Sequence, residues 1–170
     1  MTSDREPSAA EQVEFAMRIA LGLLEVRART EHELRAALAA RRVPGDVADE
    51  VVARLIELRY LDDESYARAL TSSRVRNSHR GQARIRRELQ QRGVDAEVAA
   101  VALGEIDVDD EWASARAFAA KKIRTMRGVE QATARRRLQG ALARRGFGSD
   151  IVRTVTNEAL GAWGEEWRPE

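Results

Sequence analysis

The sequence predicts an all-α protein made of three tandem three-helix repeats stacked into an elongated, curved array, and three observations lead there. The first is an internal repeat: Leu34-x3-Leu38-x2-Arg41-Arg42-Val43, Ile85-x3-Leu89-x2-Arg92-Gly93-Val94 and Leu138-x3-Leu142-x2-Arg145-Gly146-Phe147 recur at offsets of 51 and 53 residues. The second is the spacing of apolar positions. Each motif is followed four residues on by Val47, Val98 or Ile151, and four further by Val51, Ala102 or Val155. An apolar residue every four positions, broken once at a fixed place, describes two short helices around a tight turn. The third is composition: only eight aromatic residues and three prolines, with Ala, Leu and Val dominating the apolar set, which favours helix. Units of this kind bury their faces against one another, so their output is surface presentation more than pocket chemistry.

Taken in order, residues 1–8 read as a disordered N-terminal tail and 9–60 as repeat 1. Its first helix runs from about Ala9 to Arg27 with Phe15, Ile19, Leu23 and Leu24 as the apolar stripe. Thr30 and Glu33 form a capping box opening the second helix, and Pro44-Gly45 breaks the chain before a third carrying Val47, Val51, Val52, Leu55 and Ile56. Repeat 2, residues 61–107, opens with Asp62-Asp63-Glu64, acids that complement a helix N-terminus, and continues through Tyr66, Leu70 and Val75. Gly81 restarts the chain, Gly93 suits the left-handed residue after a helix, and Asp95 caps the next one. Repeat 3, residues 108–163, repeats the grammar with Asp109-Asp110, Gly128, Gly146 and Ser149. Residues 164–170 read as a C-terminal tail. Trp112 lies 46 residues after Tyr66 where the later offset of 53 would place Ala119, which points to a longer opening helix in repeat 3. The expected repeat cores are Leu34 and Leu38, then Tyr66, Leu70, Ile85 and Leu89, then Leu138 and Leu142.

The net charge of +1 hides segregation. From Arg74 to Arg92 seven arginines face one acid, Glu88, and from Arg116 to Arg145 ten basic residues face one acid, Glu130. Between them, Asp95 to Glu111 holds seven carboxylates and no base. Solvated surface is the ordinary fate of any one arginine, but basic rows on successive helices with so little compensation point to contact with a polyanion or an acidic protein. At 100° per residue Arg80, Arg84, Arg87 and Gln91 share one stripe opposite Ile85 and Leu89. In repeat 3, Arg136 faces away from Leu138 and Leu142, Arg137 and Arg144 flank it, and Lys121 opposes Ile123.

Residues 59–70 (Arg-Tyr-Leu-Asp-Asp-Glu-Ser-Tyr-Ala-Arg-Ala-Leu), Ser73-Arg74 and 82–94 (Gln-Ala-Arg-Ile-Arg-Arg-Glu-Leu-Gln-Gln-Arg-Gly-Val) resemble the central signature of the RecX family of bacterial recombination regulators. The resemblance extends by pattern over roughly 15–160. It implies three tandem three-helix repeats, binding to the RecA recombinase along the groove of its single-stranded DNA filament, and inhibition of its strand exchange and ATPase. The candidate filament or DNA contacts on that reading are Arg74, Arg76, Arg80, Arg84, Arg87 and Gln91 in repeat 2. Repeat 3 adds Lys121, Lys122, Arg124, Arg136, Arg137 and Arg144. Arg42 stands in the first copy where the other two have glycine.

Other chemistry finds little footing. With no cysteine there is no disulfide or thiolate metal site, and no segment approaches the roughly twenty apolar residues of a membrane span, so a cytoplasmic protein is expected. A monomer is the expected state. No phosphate-binding Gly-x4-Gly-Lys-Ser/Thr loop is present. His32 and His79 read as solvated, and the acidic clusters at 62–64 and 107–111 as helix caps before metal ligands. No catalytic residue and no cofactor are expected. Tyr60, Tyr66, Trp112 and Phe118 read as core anchors ahead of base-stacking platforms, whereas Trp163 and Trp167 suit either partner contact or loose packing. A second function class stays open at this point: a general nucleic-acid-binding protein with helix-turn-helix-like units, for which Gln82, Arg84 and Arg86 are the one candidate base-reading set.

Overall fold

A computed structural model describes residues 8–166, with side chains from 8 to 161. Over that range the chain folds into nine helices and no strand. They are α1 (Ala9–Val26), α2 (Glu31–Ala39), α3 (Gly45–Glu57), α4 (Asp63–Arg76), α5 (Gln82–Gln91), α6 (Ala96–Gly104), α7 (Val108–Arg124), α8 (Gln131–Arg144) and α9 (Ser149–Glu166). The starts are chemically specified. Thr30 and Glu33 make the expected capping box on α2, and Ser8 with Glu11 makes another on α1. Asp62, Asp95, Asp107 and Glu130 each accept a backbone N–H at the start of α4, α6, α7 and α8. The helix α9 continues to Glu166, past the boundary expected at 163. Trp167 lies outside the described residues, as does the side chain of Trp163.

In every triplet the first and second helices pack on the third, and each triplet closes its own core. Leu34, Leu38, Val51 and Leu55 fill the first, Ile85, Leu89 and Leu103 the second, and Leu138, Leu142 and Val155 the third, all within 2 % of full burial. Tyr66 and Leu70 are half-buried against the second core. Trp112 and Phe118 pack against the third, as anchors. Tyr60 does not: it is 62 % exposed, because the α3–α4 turn carries it out and Leu61 takes the buried place. The opening helix of repeat 3 is longer than that of repeat 2, 17 residues against 14, and its second helix is longer too, 14 against 10, which together absorb the seven-residue register shift at Trp112.

Stacking is carried by a joint used twice. The turn closing α5 seats on the start of α2, where the Thr30 hydroxyl donates to the Arg92 carbonyl. One repeat on, the turn closing α8 seats on the start of α5, where the Gly81 amide donates to the Arg145 carbonyl (2.9 Å) and the Ala83 amide to that of Gly146 (3.2 Å). A carboxylate of the next repeat's opening helix completes each joint. Asp63 accepts the Glu31 amide (2.9 Å), and Glu111 accepts the Gln82 amide (3.2 Å). Glu111 is thus a buried cap for a helix other than its own, which corrects its reading as a dipole partner within α7.

The joint also explains the glycines. Gly93 and Gly146 have φ of 74° and 89°, but the turn itself needs only a left-handed residue, and Arg42 supplies one at φ 62°. What only glycine permits is close approach: a Cβ on Gly93 would collide with the His32 side chain, and one on Gly146 with the backbone of Arg84. Repeat 1 has no earlier repeat beneath its turn, so Arg42 turns as the glycines do and meets no such obstacle.

Candidate functional site

The second repeat's arginines sort into two groups. Arg74 donates to Glu88 in a forked pair (Nη2 to Oε1 2.7 Å, Nε to Oε2 2.9 Å), and Arg80 and Arg92 close on the same carboxylate. Arg92 also reaches Glu33 of repeat 1 at 3.1 Å and the Tyr66 hydroxyl at 2.8 Å. Glu88 is only 15 % exposed. The hydrogen bond from Arg74, then the charges of Arg74 and Arg80, outweigh burial and hold its carboxyl down at about 2. Burial would raise Glu33, but the Arg27 hydrogen bond, the Thr30 amide and the charges of Arg27 and Arg92 lower it on balance. Arg74 and Arg80, expected as free contact residues, are therefore neutralised inside the protein. Geometry that brings three guanidiniums to one carboxylate makes Glu88 the hub of the joint, a role that a charge census recording one acid among seven arginines does not reveal.

The remaining cations form a continuous face. Three adjoining depressions run along it. Arg84, Arg87 and Gln91 line the first beside Arg80 and Arg92 and the carboxylates Glu33 and Glu88 that pair with them. Arg80 and Arg84 then border the second, an open groove of about 940 Å³ walled by Lys121, Lys122, Arg144 and Arg145. Lys122 and Arg144 pass into the third, which adds Arg136 and Arg137. Most of the expected contact residues are thus brought together across α5, α7 and α8. Two are not. Arg76 lies in another depression, 3.6 Å from Asp110, and Arg124 turns back to donate to the Ala120 carbonyl of its own helix at 3.2 Å.

Two residues absent from the expected contact set belong to this face. Arg145 donates to the Ser78 carbonyl at 2.6 Å and its guanidinium lies 4.5 Å from the centre of the Phe118 ring. Burial, then Arg80 and Arg84, lower its pKa, the signature of a cation among cations. His79 sits at φ 47°, a backbone region that His enters more readily than most residues, with Nε2 3.3 Å from the Lys121 ammonium. Burial, Lys121 and Arg145 lower its pKa, so this is not the freely solvated histidine expected. The helix-turn-helix reading loses a member, because Gln82 is bound to Glu111 through both its amide and its side chain (Nε2 to Oε2 2.9 Å). Among the described residues no group of His, Cys, Asp and Glu is arranged to hold a metal ion, and no helix is long and apolar enough to cross a membrane.

Three helix triplets with separate cores, two matching joints and a cationic face over the second and third define a tandem-helical-repeat protein whose distinguishing surface is basic. The family models described as the first, second and third three-helix domains of RecX match residues 16–55, 62–103 and 109–156, one per triplet. The chain belongs to the RecX family. It is 35 % identical over 154 residues to the regulatory protein RecX of Streptomyces coelicolor, covering 91 % of this chain and 82 % of that one. It is 34 % identical to that of Mycobacterium tuberculosis, covering 95 % of each. The fold is shared with the crystal structure of RecX from Lactobacillus salivarius at a TM-score of 0.80 and 23 % identity, over 88 % of this chain and 97 % of that one.

Proposed function

We propose that this protein regulates a RecA recombinase in the cytoplasm, acting as a monomer that lies along the groove of the recombinase's single-stranded DNA filament and inhibits strand exchange and ATP hydrolysis. Membership of a family whose relatives are named regulatory proteins supports a regulator, and the continuous basic face, which carries no carboxylate along its second and third depressions, supports a large anionic target. That face is the observation on which the reading rests. It spans two repeats, so its length matches an extended assembly better than a small ligand, and its arginines present the guanidinium forks suited to phosphate and carboxylate. Arg84, Arg87, Gln91, Lys121, Lys122, Arg136, Arg137 and Arg144 carry the contact, with no chemistry of their own.

The test is concentration-resolved. The protein should suppress single-stranded-DNA-dependent ATPase of RecA at concentrations below those at which it retains bare single strands. Retention of bare DNA first, with ATPase lost only when the DNA is saturated, would instead make it a general nucleic-acid-binding protein.

A further inference from the structure

The two joints have the same backbone plan, so their side chains can be compared place by place. Arg92 and Arg145 are matched residues at the ends of α5 and α8. At the first joint Arg92 meets Glu88 and Glu33, and Tyr66 lies against it. The repeat register puts Ala141 where Glu88 stood and Arg84 where Glu33 stood, and Phe118 takes the place of the tyrosine ring without its hydroxyl. Every anionic or acceptor side chain that meets Arg92 at the first joint is missing around Arg145 at the second, where only the capping carboxylate, Glu111 in the place of Asp63, is kept. Arg84, Lys121, Lys122, Arg144 and Arg145 have no carboxylate within ion-pair distance among the described residues.

The histidine adds a second, independent sign. An ammonium only donates, so Lys121 fixes Nε2 of His79 as the acceptor and leaves the ring proton on Nδ1. That Nδ1 is buried and has no hydrogen-bond partner. A donor without an acceptor, in a wall of unpaired cations over an open groove, is a place where a ligand's anionic oxygens complete the structure.

We infer that the groove between repeats 2 and 3, built from His79, Arg84, Lys121, Lys122, Arg144 and Arg145, is a phosphodiester-binding site that seats the backbone of a single nucleic-acid strand. The site rests on the filament reading only for its setting, since it binds a bare strand without any recombinase. Guanidiniums of Arg84 and Arg144 flank the groove and Lys121 supplies a point charge beside the imidazole. Binding brings negative charge next to His79, which favours the imidazolium, so the strand raises the histidine's pKa. By reciprocity, affinity rises as pH falls through that titration. The other charged groups facing His79 are all cations, Lys121 from α7 and Arg145 from the α8–α9 turn, so no carboxylate competes for this shift.

His79 and His32 are the only two histidines, and His32 belongs to the other joint, so both titrations can be followed by NMR in one sample. The histidine Hε1 signals of the full chain are titrated alone, with oligodeoxythymidylate, with polyglutamate and with inorganic phosphate at equal concentration of anionic groups. The expected result is an upward shift of the His79 midpoint with the oligonucleotide only, and none for His32. No movement of His79, or an equal movement with polyglutamate or with free phosphate, overturns the assignment. Lys121 is exposed, so Lys121→Gln folds. It should raise the ligand-free His79 midpoint by removing a cation, and shrink the oligonucleotide-induced shift. With one phosphate fewer neutralised, it should also lower the salt dependence of binding by about 0.7 log unit per log unit of salt. An unchanged salt slope also overturns the site. ATPase suppression that persists with a motionless His79 sinks this site and leaves the filament reading standing.

Discussion

The joint between repeats 1 and 2 and the joint between repeats 2 and 3 share a backbone plan, yet one is closed by carboxylates and the other is left positively charged. In both, a turn ending in a glycine seats on the start of the preceding repeat's second helix, and a carboxylate from the following helix caps that start. Stacking is therefore carried by backbone groups and buried caps. Side chains around the matched arginines are released from that duty. At the first joint they form a compact charge network, and at the second they repel one another over an open groove. A protein that tolerates such a cluster gives up stability there, and unpaired cations are retained where an external anion completes them.

The largest expected effect tests the closed joint. Glu88→Gln leaves Arg74, Arg80 and Arg92 without their shared counter-charge in a half-buried setting. It should cost about 3 kcal/mol, the lower end for breaking a buried pair, in chemical denaturation at neutral pH. The pH dependence has a definite sign. The Glu88 carboxyl is held at about 2, below its ordinary 4.5, so its contribution is fully present above pH 4.5 and is lost as pH falls toward 2. That difference corresponds to on the order of 3 kcal/mol. Wild type and Glu88→Gln should therefore differ most near neutrality and converge near pH 2. A constant gap between them across that window would show that the carboxylate's charge is not what closes the joint.

The next effects separate turn conformation from close approach. Gly93→Ala and Gly146→Ala should each cost roughly 2 kcal/mol, from strain at positive φ together with collision against the preceding repeat. Arg42→Gly should do the reverse and stabilise by about 0.5–1 kcal/mol, since Arg42 carries the same left-handed strain with nothing beneath it. Equal and small costs at 93 and 146 would mean that the joints give way easily, and the repeats would then be less firmly stacked than the hydrogen bonds imply.

Much of this architecture is readable from the sequence because helix periodicity, capping residues and turn glycines are local signals. Thr30 with Glu33, Asp62, Asp95 and the Leu/Ile rows all sit where spacing places them. The site is less legible, and the reasons are spatial. Arg74 and Arg80 read as free because their partner's single negative charge serves three arginines at once, two of them from outside its own helix. Arg145 reads as a repeat-closing residue, equivalent to Arg92. Its contacts show that its acidic neighbours have been replaced. Glu111 reads as one more acid in a helix-start cluster, although its burial comes from capping a helix 29 residues earlier. A signal was available all the same: aligning the repeats on Leu34, Ile85 and Leu138 puts Glu33 against Arg84 and Glu88 against Ala141, a change of charge at matched geometry.

The smallest change in stability should accompany a large change in binding, and it tests whether the open face works from outside. Arg84 and Arg87 are exposed. Their hydrogen bonds are long ones, 3.4 Å each, to the carbonyls of Arg144 and Ala83. Reversing both to Glu removes no core contact and breaks no ion pair, so unfolding free energy should stay within about 0.5 kcal/mol of wild type. Arg84→Glu also returns a carboxylate to the place that Glu33 holds at the first joint, next to the crowded Arg145, which works against any loss. Suppression of RecA ATPase should nevertheless weaken, because two cations become two anions on the face proposed to meet the filament. A double variant that folds normally and suppresses as well as wild type would remove the α5 stripe from the contact surface and leave α7 and α8 to account for it. A variant that loses stability as well would show that these arginines serve the joint, and the contrast between a closed and an open joint would lose its functional meaning.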